Sequence, residues 1–277
     1  MKKTFSFAGQ PTERTLTLKC LRDGKGKRKF TQTTAVNAEQ ASAAAEAGID
    51  MLVGSAPILA EMRTGAPKMF ITAGVHMWNF PTAGEVLRQA YKLLEAGADA
   101  IYCPREPQVV EMLATAQVPV MGHLGLVPRT SMWTGGIRAM GRSAEEAIEL
   151  YQAFKDLENA GAVMVEAEVI ASDVLTEIAK SVSLSVVSLG SGPGGDIDYL
   201  FQEDICGEAA SRPRHARAYA DLHGLHQQIY AKRVQAMSAY RQSVQDGSFP
   251  DSSETVRMKE GQFEVFQNAL GKLTSST

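Results

Sequence analysis

The sequence predicts a parallel α/β fold, and a (β/α)8 TIM barrel fits it best. Three observations carry that expectation. The first is an internal repeat: Glu46-Ala-Gly-Ile-Asp-Met-Leu-Val53, Glu95-Ala-Gly-Ala-Asp-Ala-Ile-Tyr102 and Asn159-Ala-Gly-Ala-Val-Met-Val-Glu166 share one grammar. Each ends a helical stretch at Ala-Gly and opens an apolar strand within two residues, because glycine takes the left-handed conformation that closes a helix. The second is a set of further apolar runs at 69–73, 118–121 and 184–189, giving about seven strands alternating with helices. The third is that no Gly-x-Gly-x-x-Gly opens a helix, which ranks a doubly wound sheet second.

Taken in order, the first thirty residues are polar and basic. Their closing run, Asp23-Gly-Lys-Gly-Lys-Arg-Lys29, reads as a solvated turn before a first strand at 29–34. A helix follows at 37–47, capped by Asn37 and stopped by Gly48. Ser143 and Glu146 form a Ser-x-x-Glu capping signal for a helix at 143–159. No linker divides the chain, so one barrel domain is expected over 1–277, extended by C-terminal helices at about 214–246 and 256–273. The first of these carries an apolar stripe (Ala218, Leu222, Leu225, Ile229) at helical spacing, which predicts a homo-oligomer.

Composition excludes several classes. A net charge of −3 without a long basic block gives no footprint for nucleic acid. The three cysteines stand in neither metal nor disulfide spacing, and no apolar run reaches membrane-spanning length. A cytoplasmic protein acting on a small molecule is the expectation.

The residues that carry chemistry follow from period-two alternation along the strands. Val118-Pro-Val-Met-Gly-His-Leu-Gly-Leu-Val-Pro128 is an apolar strand that stops in a Gly/Pro loop, with His123 where it stops. Alternation places His123 on one face with Met121, and likewise Ser55 with Val53, Gly74 and His76 with Thr72, Glu106 with Tyr102 and Pro104, and Glu166 and Glu168 with Met164. These faces looking into a barrel bring His76, Glu106, His123 and Glu168 to its C-terminal mouth. A buried carboxylate is costly unless paired, hydrogen-bonded, metal-bound or protonated. Glu166 is read either as an ion-pair partner or as a functional group, Glu168 as functional. Leu189-Gly-Ser-Gly-Pro-Gly-Gly-Asp196 is a glycine-dense turn whose N–H groups could hold an anion, with Ser191 a substrate-binding candidate.

These residues carry a resemblance. Gly122-His-Leu-Gly-Leu-Val-Pro128, then Gly135-Gly-Ile-Arg-Ala-Met-Gly-Arg142 and Glu145-Glu-Ala147, resembles ketopantoate hydroxymethyltransferase (3-methyl-2-oxobutanoate hydroxymethyltransferase). The likeness continues through Gly190-Ser-Gly-Pro193, Tyr219-Ala-Asp-Leu222 and Gly247-Ser-Phe-Pro250, and more loosely through 18–26 and 45–54. It implies a barrel of the phosphoenolpyruvate mutase/isocitrate lyase type. It also implies a divalent metal that binds an α-keto acid, a base that forms the enolate, and methylenetetrahydrofolate as one-carbon co-substrate. Carried over residue by residue, Glu168 is the base and His123 the active-site histidine.

The usual Mg²⁺ ligands do not carry over. The family's Gly-Asp-Ser stands here as Gly54-Ser55-Ala56, its next aspartate as Gly74, and its Lys-x-Glu as Tyr102-Cys-Pro104. Ketopantoate synthesis itself is therefore not expected. His76 and Glu106, each two residues beyond a lost ligand, could rebuild a metal site with His123, one favouring a transition metal because nitrogen enters the shell. Alternatively Tyr102, Ser55 and backbone donors stabilise an enolate without metal, with Ser55, Gly74, Tyr102 and Ser191 contacting substrate. Three readings stay open: aldol-type hydroxymethyl transfer or related enolate chemistry on a small oxo acid or carbonyl compound; a C–C lyase or hydrolase of the same superfamily; and an inactive paralogue that serves as a binding or assembly subunit.

Overall fold

The computed structural model describes residues 1–274. An antiparallel hairpin comes first, β1 (Lys2–Phe5) with β2 (Pro11–Arg14). Eight parallel strands follow: β3 (Phe30–Thr34), β4 (Met51–Ser55), β5 (Phe70–Gly74), β6 (Ala100–Tyr102), β7 (Val120–Gly125), β8 (Met164–Glu168), β9 (Ser185–Leu189) and β10 (Ile197–Tyr199). They close in the order β10-β3-β4-β5-β6-β7-β8-β9, so no edge is left unpaired. The (β/α)8 TIM barrel expected from the sequence is the fold.

The repeated Ala-Gly joints close their helices by one mechanism. Gly48, Gly97 and Gly161 sit at φ +78°, +102° and +87°. Each joint makes the same pair of bonds: Gly48 N to Ala45 O with Ile49 N to Ala44 O, Gly97 N to Leu94 O with Ala98 N to Leu93 O, and Gly161 N to Glu158 O with Ala162 N to Leu157 O. These are Schellman closures, and they turn each helix directly into the following strand. Asn37 caps the helix Ala38–Glu46 through Gln40 N, as expected. Ser143 caps Ala144–Asn159 through Glu146 N, but the return half of the box is missing, because the Glu146 carboxylate accepts from Arg142 N instead.

Alternation along the strands separates two cores. Leu52, Ile71, Ile101, Val165 and Val186 point outward under the helices. Met51, Phe70, Ala100, Met121, Met164, Val187 and Ile197 fill the barrel, with Leu16, Leu21 and Phe30 packed among them at its N-terminal end. The run Asp23–Lys29 ends in the exposed turn expected before β3, but the residues ahead of it are structured. They form the hairpin and the helix Leu18–Gly24, and the basic run is tied down: Lys25 Nζ lies 2.8 Å from Asp196 and Arg28 2.6 Å from Asp50.

The glycine-dense stretch has a structural explanation. Helices follow β3 through β8, but β9 returns to β10 through residues 190–196 with no helix. The chain descends against neighbouring elements so closely that a Cβ on Gly192 would lie 2.1 Å from Ser172 Oγ, and one on Gly194 2.7 Å from Thr176 Cα. The glycines permit this packing, so the crossover gives them a structural reason.

The chain divides into two compact units, Met1–Ala220 and Asp221–Thr277, where the sequence suggested one domain. The second contains the helices Leu222–Gln245 and Gln262–Thr274. The first of these starts later than expected, with Asp221 as its cap, so Ala218 precedes the helix. Among the described residues no helix is long and apolar enough to cross a membrane.

Because a Cβ at Gly194 would meet the backbone of Thr176 as well as its hydroxyl, Gly194→Ala forces atoms apart at a half-buried contact. We expect a loss of about 1–3 kcal/mol, read as a lower urea midpoint at unchanged slope.

Candidate active site at the barrel mouth

The end of β7 explains its own sequence. Met121 and His123 point into the barrel, while Gly122 faces outward beneath Leu157, whose Cδ1 would lie 2.7 Å from an added Cβ. Gly125 takes φ +90°, and a Cβ there would lie 2.2 Å from the Glu168 carbonyl oxygen. The ends of β7 and β8 thus meet backbone to backbone, and Leu126 N donates to Glu168 O at 2.7 Å. In this register His123 stands beside Glu166 and Gly125 beside Glu168. The next residue, Val169, has φ +50°, an outlier for a β-branched side chain. It is held there because its N–H donates to Leu189 O at 2.8 Å and its carbonyl accepts from Met140 N at 2.9 Å. Backbone strain of this kind concentrates at functional sites.

Four side chains converge above the barrel core. Tyr102 Oη lies 2.7 Å from His123 Nδ1 and 3.5 Å from Glu166 Oε1. His123 Nε2 lies 3.0 Å from Glu168 Oε2 and 3.8 Å from Glu166 Oε1. That short approach to Glu168 is not directed along a hydrogen bond, so Nε2 is a buried nitrogen without a hydrogen-bond partner. Among the described residues no lysine or arginine pairs with Glu166 or Glu168, which removes an ion pair with a basic residue as the explanation of Glu166. Burial pushes the Glu166 carboxyl up to about 7, with nearby Glu168 adding to the rise and His123 and the Tyr102 bond opposing it. Burial, and then the two carboxylates, hold the Tyr102 phenol well above its usual range, so it keeps its proton.

These groups line a cavity of about 630 Å³. His123, Glu168, Tyr102, Ser55, Gly74 and His76 are all on its wall, together with Glu166. Two expected site residues are elsewhere. Ser191 is buried in a brace, donating to Ala167 O and accepting from Ile170 N, both at 2.8 Å. Glu106 is clasped by Arg105 through two 3.0 Å bonds and stands outside the cavity. His76 packs on Trp78, ring centroids 5.1 Å apart, rather than joining His123. The group that could hold a metal ion is instead His123, Glu166 and Glu168, whose ligating atoms lie within 4.8 Å of one another. This donor set suits a cation in kind: a ring nitrogen without a hydrogen-bond partner faces two carboxylates. Sequence reasoning missed Trp78, Tyr199 and Phe201, three aromatic walls of the cavity. The last two belong to or follow the strand it did not resolve.

A closed parallel barrel with titratable groups at the C-terminal ends of its strands defines the class, a (β/α)8 barrel with a candidate active site at its mouth. Solved structures of that fold include a 2,3-dimethylmalate lyase (TM-score 0.51, 12% identity, 92% of this chain and 99% of that one). They also include a phosphoenolpyruvate phosphomutase from Streptomyces platensis subsp. rosaceus (TM-score 0.50, 14% identity, 94% and 96%). The family model described as ketopantoate hydroxymethyltransferase matches residues 55–252, and the chain belongs to that family. Relatives named 3-methyl-2-oxobutanoate hydroxymethyltransferase include those of Thermus thermophilus (33% identity, 84% of this chain and 97% of the relative) and Pyrococcus furiosus (30%, 94% and 99%).

The rise at Glu166 has a consequence for stability. Folded, this carboxyl holds a proton that it gives up near 4.5 when exposed. Stability therefore falls as pH rises from about 4.5 to about 7, and the full cost is present above that window. Glu166→Gln keeps the shape and removes the titration. In chelator-treated protein the variant should gain on the order of 1–3 kcal/mol over the parent at pH 8 and little near pH 5. Equal gains by urea unfolding at both pH values would contradict the account.

Proposed function

We propose that this chain is an aldol-type enzyme of the hydroxymethyltransferase kind, forming an enolate from a small carbonyl substrate at the barrel mouth. One observation carries the reading: a carboxylate, Glu168, and a buried nitrogen without a hydrogen-bond partner, His123 Nε2, face the same cavity 3.0 Å apart. A base and an electrophile at that separation can act on a C–H and on the carbonyl oxygen next to it.

The steps use the chain's own groups. The Tyr102 phenol, which keeps its proton, donates to His123 Nδ1. The neutral imidazole then carries its hydrogen on Nε2, where the substrate's carbonyl oxygen accepts it. Glu168 removes the proton next to that carbonyl, and the charge that develops on oxygen is met by Nε2–H. The enolate carbon adds to a second carbonyl or equivalent one-carbon unit, and the proton held by Glu168 passes to the new alkoxide. Methylenetetrahydrofolate, which the family resemblance implies, is one source of that unit: water hydrolyses it to tetrahydrofolate, which leaves, and formaldehyde, whose carbonyl the enolate attacks. Run backwards, the same steps break a C–C bond, so a lyase needs no other groups.

A second reading is favoured by the unpartnered Nε2. A divalent cation held by His123, Glu166 and Glu168 would supply Lewis acidity to the substrate's oxygen. Nitrogen in the shell favours a transition metal over Mg²⁺. The retained base and histidine weigh against an inactive paralogue.

Assembly into a homo-oligomer belongs to the same proposal. The helix Leu222–Gln245 buries none of its side chains within the chain, and Leu225, Ile229, Val234, Met237 and Val244 are exposed. A second copy of the chain would cover such a face. Light scattering at micromolar concentration should give a dimer or larger species, and Met237→Lys should shift it toward monomer; a monomeric parent protein counts against assembly.

The decisive chemical test is Glu168→Gln, which removes the proton acceptor and keeps the shape. Solvent deuterium entering a bound carbonyl compound at the carbon beside its carbonyl should slow by on the order of 10² to 10⁴. His123→Asn should slow it as well. An unchanged exchange rate in folded Glu168→Gln protein would remove the base from the mechanism.

A further inference from the structure

The cavity's charges are one-sided. Its wall holds two carboxylates, Glu166 and Glu168, and a single cationic residue, Arg129. Arg129 is exposed, on the loop beyond β7, and its guanidinium is engaged by the Pro104 carbonyl. No lysine lines the cavity. The rest of the wall is largely apolar or aromatic, with Val53, Val75, Leu189, Trp78, Tyr199 and Phe201, and its other polar side chains are Thr34, Ser55 and His76. The one buried donor awaiting a partner there is His123 Nε2, which suits a carbonyl oxygen but provides neither the second donor nor the positive charge that a carboxylate needs. Where the family resemblance implies a substrate lysine, Tyr102 stands, its hydroxyl 2.7 Å from His123 Nδ1 and 3.5 Å from Glu166 Oε1.

We infer that the substrate of this site carries no carboxylate: it is a small uncharged aldehyde or ketone, its apolar body against the aromatic wall and its carbonyl oxygen on His123 Nε2. This rests on the enolate reading above and narrows it. An oxo-acid anion would bring its charge against Glu168, and against Glu166 wherever that carboxyl is ionised, beside buried groups where like charges repel more strongly than in water. The cavity is also large enough for a body of several carbons, whose burial on apolar side chains supplies the affinity.

The test uses two compounds with one carbon skeleton, 3-methylbutan-2-one and 3-methyl-2-oxobutanoate, differing by a methyl group in place of a carboxylate. Binding is read by ligand-observed NMR and chemistry by deuterium entering the isopropyl C–H. The whole protein is used, once with chelator and once with added Zn²⁺ or Mg²⁺, and Glu168→Gln gives the background rate. The ketone should bind at least tenfold more tightly than the oxo acid under both conditions and exchange in a Glu168-dependent manner. Tyr102→Lys, which places a cation at the carbonyl end of the cavity, should bring the oxo acid back by at least tenfold relative to the ketone. Tighter binding of the oxo acid to the parent protein, with or without metal, overturns the inference and leaves enolate chemistry standing. A ketone that binds without exchanging overturns the enolate reading and leaves the charge preference standing. Failure of both compounds to bind at millimolar concentration overturns the inference.

Discussion

The contact on which the site depends is between two backbones. Gly125 and the Glu168 carbonyl lie so close that no side chain fits between them, and the Leu126 N–H to Glu168 O bond fixes the approach. A larger residue at 125 would push apart the strand ends that carry His123 and Glu168. The separation of 3.0 Å between their reactive atoms is therefore set by main-chain geometry rather than by side-chain freedom. Val169 is held at positive φ by the same ladder, and Ser191 ties Ala167 to Ile170 from the next strand end. A base positioned this way keeps its geometry with no substrate bound, which is the condition for a preorganised site.

What the site does with that geometry is decided by what is missing from its charge balance. Two carboxylates share one imidazole and one phenol, and no fixed cation answers them among the described residues. Desolvation is thus the largest influence on Glu166, and protonation at neutral pH is its cheapest relief. The other relief is a bound cation, and the free His123 nitrogen makes the same place suitable for one. Both outcomes follow from replacing the expected lysine and metal carboxylates with Tyr102, Pro104, Ser55 and Gly74. The barrel persists with Glu168 at its mouth, while the lysine and carboxylates that the resemblance implies at these positions are absent.

Much of this was legible in the sequence, for identifiable reasons. The Ala-Gly joints could be read because a Schellman closure needs a residue at positive φ and glycine supplies it cheaply. His123, Glu166 and Glu168 could be placed on inward faces because strand parity is strict once the strand is located. The eighth strand, Ile197–Tyr199, could not, since three residues after a helix-free crossover leave no periodic signal. With it went Tyr199 and Phe201. The close packing of the stretch from Gly190 to Gly195 was not legible, because glycines that permit it look the same in sequence as glycines that expose N–H groups to an anion. Glu106 was misplaced for a different reason: beyond the end of β6 the chain leaves strand geometry, so parity counted from Tyr102 no longer predicts a face.

The phenol proton of Tyr102 joins the two chemistries open to this site. Its oxygen has two neighbours that can accept, His123 Nδ1 at 2.7 Å and Glu166 Oε1 at 3.5 Å. A proton given to Nδ1 leaves the hydrogen of the neutral imidazole on Nε2, where it can meet a carbonyl oxygen. Given to Glu166, it turns the phenol oxygen into an acceptor for Nδ1–H, and Nε2 then presents a lone pair, as a metal ligand must. The shorter distance favours the first arrangement in the structure as it stands. A cation drawn to Glu166 and Glu168 would favour the second, because the lone pair is then worth more than the donor. Tyr102 therefore does more than replace a lysine. Placed between an imidazole and a carboxylate, its hydroxyl links the two arrangements of His123, one suited to a carbonyl oxygen and one to a cation.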